Sequence, residues 1–436
     1  MFVQFKRLTW KASLLAIVVS LLAFSVVLAA SGDLDTTFGG DGLVTDFAVP
    51  SNPARWETVR GMVVQPDGKI VIAGTSNVPS TATHDFAVAR YNTDGTPDST
   101  FSKDGRQVTN FGGIDQALDV ALQSNGKIVA IGQKCSNDGL ICDVALARYN
   151  PGGAPDTTFS GDGMQVTDFG GDDNGSFGGV ALQGNKIVVA GFMWNGTDYD
   201  FAVYRYLSNG NLDATFSGDG MAKVGFGAGR QDFAEDLVLQ EDGKIVVAGF
   251  TGDAEFANNN FAIARFNSNG SLDTTFSGDG RQITHMGGDD YAYGLALQTD
   301  GKLVVVGEKA TATLSYFAVA RYNPNGALDS TFNTTGRKAF SIVTGAHSAA
   351  DAVHVQANGK IVIAGSTGVA DFALVRLNSN GGFDTTFSGN GKATVDFGGE
   401  DFGLALAVQP SDGKYVIGGF TYDGAQRDFA VARVLP

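Results

Sequence analysis

Three pairs of adjacent carboxylates, Asp172–Asp173, Asp289–Asp290 and Glu400–Asp401, each follow a Gly-Gly step. Side by side, two such groups could act as general acid and base in glycosidic cleavage, provided burial raises the pKa of one of them. In a glycine-rich loop the same pairs also read as solvated turns. Aromatic residues lie in neighbouring segments: Trp56, Phe192, Trp194, Tyr199, Tyr291 and Tyr422. Acid beside aromatic suits a sugar, whose apolar face stacks on a ring, or a cationic group.

A second candidate is DTTFSGDG at 273–280. Its oxygen-bearing side chains and its glycine at the sixth place resemble the start of a calcium loop. Thr275 and Ser277 stand where carboxylates or amides are expected, and the twelfth place is Thr284 where the bidentate glutamate belongs. The four histidines, His84, His285, His347 and His354, are scattered, with no zinc or nucleophile motif around them. No catalytic residue, metal ligand or cofactor is assigned from these patterns.

The elements that must position these residues emerge from self-similarity. The pattern D-x-T-F-x-x-x-G begins at Asp35, Asp98, Asp156, Asp213, Asp273, Asp329 and Asp384. Its phenylalanines are separated by 63, 58, 57, 60, 56 and 55 residues, a period far too long for a β-helix. Two further signatures keep the beat: a turn plus strand such as PDGKIVIAG, and DFAVAR, whose arginines are Arg90, Arg148, Arg205, Arg265, Arg321, Arg376 and Arg433. Each unit contains four β-prone segments, in the fifth RQITHM, YGLALQ, KLVVVG and FAVARY. The Asp-Gly or Asn-Gly before the lysine is a hairpin signal.

These features predict an all-β, seven-bladed β-propeller of four-stranded repeats about 58 residues long, beginning near residues 34, 97, 155, 212, 272, 328 and 383. The termini are expected to meet within the ring. Groups present in every unit are read as structural: the aspartate as a turn cap, the phenylalanine as a wedge at the joint between blades, and the lysines and arginines as ion-pair partners. The combination of LDTTFSGDG, ALQxDGKIVVAG and DFAVARYN resembles the delta-60 repeat of exported bacterial proteins. That resemblance covers essentially all of the chain beyond its N-terminal segment, and it implies a propeller fold and export but no catalytic residues.

Composition narrows the partners. A net charge of −16 with no basic run repels phosphate backbones, so nucleic acid is not an expected partner. Lys6, Arg7 and Lys11 precede an apolar run from Ser13 to Ala30, the layout of a secretory signal over 1–29 with cleavage after Ala29; the propeller then spans 30–436. Cleavage would take the charge from −16 to −19. The alternative is an uncleaved membrane anchor, the one route to a membrane. Outside the cytoplasm Cys135 and Cys142, the two cysteines of the chain, are expected to form a local disulfide.

Function should lie where the repeats differ. In antiparallel blades the DGK turns and the D-x-T-F connections fall on one face, and the variable loops joining strands one to two and three to four on the other. There Asp115, Asp172, Asp173, Asp289, Asp290, Glu400 and Asp401 are expected to form an acidic ring, with Trp194, Tyr199, Tyr291 and Tyr422 adding aromatic surface. The expectation is a secreted or envelope-located, monomeric binding or scaffold protein for an extracellular protein or glycan. A glycosidase or lyase using the same carboxylates is the alternative.

Overall fold

The lysine of each DGK turn, the arginine of each third strand and the aspartate of each D-x-T-F unit meet in one ion-pair cluster. In the first unit Asp98 Oδ2 accepts from Arg90 Nε at 2.7 Å and from Lys69 Nζ at 2.8 Å. Its Oδ1 accepts from the Thr100 hydroxyl at 2.7 Å and from Thr100 N at 3.0 Å, an Asx turn that tightens the return of the chain. The same arginine crosses to the next unit, Nη1 donating to Pro151 O at 2.6 Å. Its guanidinium lies 5.0 Å above the Phe101 ring. Burial alone would push the Asp98 carboxyl up; Lys69, Thr100 and Arg90 outweigh it and hold it well below the usual carboxylate range.

The computed structural model describes residues 29–45, 56–78, 83–168, 178–368 and 371–436, and within them the elements are strands. They form seven four-stranded antiparallel sheets. In the fourth, Gln231–Leu239 is innermost, followed outward by Ile245–Gly252, Asn260–Phe266 and Arg281–Thr284. Each hydrophobic cluster is shared by two neighbouring sheets; Val246, Phe261, Ile263 and Phe276 of the fourth pack against Ala292, Leu295, Leu303 and Val305 of the fifth. The apolar second strand is therefore buried on both faces, which is why it reads as an unbroken run rather than an alternation. Tyrosine hydroxyls pin the same interfaces, Tyr322 donating to Thr284 Oγ1 at 2.8 Å and Tyr206 to Thr167 Oγ1 at 2.9 Å.

The phase of the repeat differs from the sequence expectation by one strand. RQIT belongs to the outer edge of the fourth blade, paired with Asn260–Phe266, and D-x-T-F links the third and fourth strands within a blade instead of joining two blades. The Phe nevertheless lies between blades, fully buried at Phe101, Phe159, Phe216 and their counterparts. The seventh sheet consists of Glu400–Val408, Tyr415–Tyr422, Arg427–Val434 and, as its outer strand, Leu43–Val44. Leu43 pairs with Ala432 and Val44 with Val431, so the two ends of the chain close the ring.

Residues 1–28, which carry most of the predicted signal segment, lie outside the described residues, as do Asp172 and Asp173. Among the described residues no helix is long and apolar enough to cross a membrane.

Candidate functional site

The innermost strands line a central channel, and all but that of the third blade, Val180–Gln183, change register at one point. Val59 pairs with Gly74 but Gly61 with Ala73, leaving Arg60 as the extra residue of a β-bulge. Equivalent shifts leave Leu118, Glu235, Tyr293, Asp351 and Leu404 unpaired in their strands. The bulge explains a recurring glycine of the second strand. A Cβ at Gly74 would meet Thr58 O at 1.8 Å and one at Gly249 would meet Phe233 O at 1.9 Å, so no side chain fits opposite the bulge.

The bulge turns these odd residues toward the axis, where they line a cavity of about 620 Å³ together with Phe250, Tyr291, Glu308 and others. The third blade contributes Gly178 and Gly179, whose lack of side chains widens that side. Arg60 is exposed to the channel and forms no hydrogen bond or ion pair with a described residue within direct contact distance. Protein surrounds it closely enough that burial lowers its pKa, against the pull of Asp351 and Glu235.

Four carboxylates of this cavity are held in their protonated direction. Burial raises Glu235 well above its ordinary value; Arg60 opposes the shift and Asp236 and Asp351 reinforce it. Asp351 is pushed up to about 8 by burial, with Arg60 opposing and Glu308 adding to the rise. Asp236 reaches about 8 and Asp119 about 6, burial dominating both. These last two have a structural task. Asp236 accepts from Leu237 N and, across the interface, Leu295 N, both at 2.7 Å; Asp119 accepts from Val120 N at 2.7 Å and Val180 N at 2.9 Å. Glu235, Asp351 and Glu308 remain as the other carboxylates of the lining, beside Arg60 and Tyr293.

An aromatic path leads to this cavity from the variable-loop face. Trp194, 38% exposed, meets Tyr199 edge-on at 5.2 Å. Tyr199 lies 5.5 Å from Phe233, which stacks on Phe250 at 5.2 Å. Phe250 meets Tyr291 at 5.0 Å, and Tyr291 stands parallel to Tyr293, 6.4 Å away and 7° from coplanar orientation. Phe256, 54% exposed, joins at Phe233. The path crosses blades three, four and five. A second patch on blades one and seven is organised differently: the Arg427 guanidinium lies 4.5 Å from the Trp56 ring and 4.0 Å from Phe420, with Tyr422 6.2 Å from Trp56.

The sequence-derived candidates divide accordingly. Trp194, Tyr199 and Tyr291 fall on the aromatic path. The expected acidic ring does not form an exposed surface, because Asp115, Asp290 and Asp401 are fully buried. Each caps the turn entering its blade, accepting from Phe111 N at 2.6 Å, Met286 N at 2.5 Å and Phe397 N at 2.6 Å. Glu400 is exposed and Asp289 half-buried, accepting from Asn259 N at 3.1 Å. Cys135 and Cys142, opposite each other in their hairpin, are disulfide-bonded. Sequence reasoning missed the channel residues Arg60, Glu235, Tyr293 and Asp351. Their signal is a single variable column inside an otherwise repeated strand, at EDLVLQ, YGLALQ and their counterparts.

The family model for the DUF5122 beta-propeller, described as a domain of unknown function, matches residues 65–101, 123–159, 185–216, 240–276, 298–332, 356–387 and 411–436. These segments cover more than half of the chain, which belongs to this β-propeller repeat family. No curated protein matches the chain in sequence. Solved structures similar to it include the α-L-arabinofuranosidase Arb93A from Fusarium graminearum, at 9% identity and TM-score 0.45, covering 90% of this chain and 97% of that one. The polysaccharide lyase Uly1 aligns at 11% identity and TM-score 0.47, over 86% of this chain and 89% of its own. The β-propeller domain of the Trilobed protease from Pyrococcus furiosus aligns at 8% identity and TM-score 0.42, over 87% and 94%.

Proposed function

We propose that the protein is a non-enzymatic glycan-binding propeller, exported to the cell envelope or beyond, that takes its ligand along the aromatic path into the mouth of the central channel. The observation carrying this reading is the continuity of rings from exposed Trp194 to channel-lining Tyr293. Successive sugar rings would stack on Trp194, Tyr199 and Tyr291. Their hydroxyls would find acceptors and donors in Glu235, Asp351 and Arg60. The net charge of −16 disfavours polyanionic glycans, leaving neutral or amino sugars. Export rests on the N-terminal signal layout and the disulfide.

The test is a screen of the purified protein against neutral, amino and acidic oligosaccharides, followed by titration of Trp194→Ala and Tyr293→Ala. Both variants should lose at least tenfold in affinity while keeping the parent's circular dichroism. Unchanged binding, or preference for acidic glycans, overturns the assignment.

A second reading, carbohydrate cleavage, is favoured by one observation: Glu235 and Asp351 share the cavity with raised pKa values, as a general acid requires. New reducing ends or unsaturated products from a bound glycan, abolished in Glu235→Gln or Asp351→Asn, would replace binding with catalysis.

A further inference from the structure

We propose that the junction between blades six and seven binds one divalent cation of the hard, oxygen-seeking class of calcium, on the carboxylates of Asp371, Asp396 and Asp401. One oxygen from each of the three lies within 4.8 Å of the others. Oxygens coordinated to a single calcium at about 2.4 Å can be no further apart than about 4.8 Å, so the three already fit one coordination sphere.

The elements that bring them together are the same at every junction. Asp371 and Asp396 stand one step beyond the last pair, Phe372 with Val395, of the third and outer strands of blade six. Asp401 is on the innermost strand of blade seven, where its Oδ2 caps the connecting turn at Phe397 N. Asp396 Oδ1 accepts from Gly398 N at 2.6 Å, which fixes this carboxylate at the turn. Asp401 is fully buried, and its Oδ1 has no hydrogen bond of good geometry, although the Thr421 hydroxyl across the ladder is near enough to act on the carboxylate. An unsatisfied buried carboxylate oxygen is costly and calls for a compensating charge.

Other junctions carry the same buried aspartate with different neighbours. In blade four the equivalent oxygen, Asp232 Oδ1, accepts from the Thr251 hydroxyl. Entering blade five, Asp290 Oδ1, like Asp401 Oδ1, is without a hydrogen bond, and Asp290 Oδ2 has His285 Nδ1 3.3 Å away, at the place where Asp396 stands in blade six. Entering blade two, Asp115 Oδ1 is also without a hydrogen bond, but the equivalent place is Asn110, an uncharged amide, and Lys134 lies across the ladder from Asp115. Only between blades six and seven, among the described residues, do three carboxylates converge, where a neighbour supplies no positive charge. Asp143 and Asp168 hold the matching places in blade two, but Asp173, the third, lies outside the described residues.

The experiment uses the full chain freed of metal by chelation and titrated with calcium chloride alone, read by calorimetry and thermal unfolding. Saturable binding with a raised melting temperature, tighter for calcium than for magnesium, is expected. Asp396→Asn, at an exposed position, should weaken the response at least tenfold while retaining the parent's fold without metal; Asp371→Asn should do the same. Asp168→Asn serves as the comparison and should leave the Asp396-dependent response in place. No binding at millimolar calcium, or a response unaltered by both Asp396→Asn and Asp371→Asn, overturns the proposal.

Discussion

Arg433 Nε donates to Asp35 Oδ2 over 2.6 Å, joining residues 398 positions apart in sequence. Lys414 Nζ completes the cluster at 2.9 Å, and Arg433 stacks 4.8 Å from Phe38. The contact that stiffens a single blade elsewhere here closes the whole ring. It therefore acts on a loop far longer than any other of its kind, and its loss is felt at both termini.

Replacing Asp35 by Ala leaves the buried Arg433 guanidinium without its carboxylate. Removing one member of such a buried pair typically costs about 3–5 kcal/mol. The expected outcome in urea unfolding is a lower midpoint accompanied by early hydrogen exchange in Leu43–Val44 and Arg427–Val434. Asp273→Ala, which breaks the equivalent cluster inside blade four, should lower the midpoint without selective exposure of those two strands.

The seven aspartates also predict acid sensitivity. Burial pushes Asp35 up, but Lys414, Thr37 and Arg433 hold it at about 2; Asp329 is likewise held at about 2. The unfolded carboxyl titrates near 3.9, so the folded pKa is the lower one. Their contribution is present above about pH 4 and lost as pH falls from there through about 2. Equilibrium unfolding from pH 5 to pH 2 should show a steep fall in stability, blunted in Asp35→Asn.

Much of this architecture was legible in the chain because seven copies vote on each residue. Asp, Thr, Phe, Lys and Arg recur together, and recurrence alone points to pairing and wedging. The phase of the blades was not legible: hairpin chemistry at DGK reveals which strands are joined, but RQIT could edge either of two sheets until the 281–284 ladder with Asn260–Phe266 is seen. The buried state of Asp290 and Asp401 was hidden for a similar reason. A Gly-Gly-acid turn reads as solvated, whereas the neighbouring blade covers it. The channel site was hidden because a bulge shifts the inward face by one residue, so strict alternation places Glu235 and Asp351 wrongly.

Phe276 tests the wedge. It is fully buried between blades four and five, with the Arg265 guanidinium 4.7 Å from its ring. Phe276→Ala should cost about 3–5 kcal/mol from lost burial and the cavity left behind. Phe276→Leu retains most of the apolar volume but not the ring beneath the cation, and should cost about 1–2 kcal/mol. A Phe276→Leu variant as stable as the parent in chemical unfolding would mean that the stacking contributes nothing.

The Cys135–Cys142 bond closes a loop of only seven residues' separation. Chain-entropy reasoning gives about 2 kcal/mol for so short a loop, confined to one hairpin. Reduction should therefore quicken amide exchange in Ser136–Ile141, lower the global midpoint slightly, and leave the ring intact by small-angle scattering.

The channel carboxylates predict the opposite pH limb. Burial raises Asp351 and Asp236 to about 8 and Asp119 to about 6, above an unfolded value near 3.9. The folded state holds these protons more tightly, so stability is greatest where they are bound and declines as pH rises from about 4 through about 8. Together with the acid limb set by Asp35 and its counterparts, this places the stability maximum in mildly acidic solution. Asp351 faces Arg60, Glu235 and Glu308; of these, Arg60 opposes the rise and Glu308 supports it, so it is the cost of burying the charge that an amide would relieve. Asp351→Asn should match the parent near pH 5 and exceed it near pH 9 in urea unfolding, flattening the alkaline decline. A parallel decline in both proteins would show that Asp351 is ionised at neutral pH and that the channel is wetter than its lining suggests.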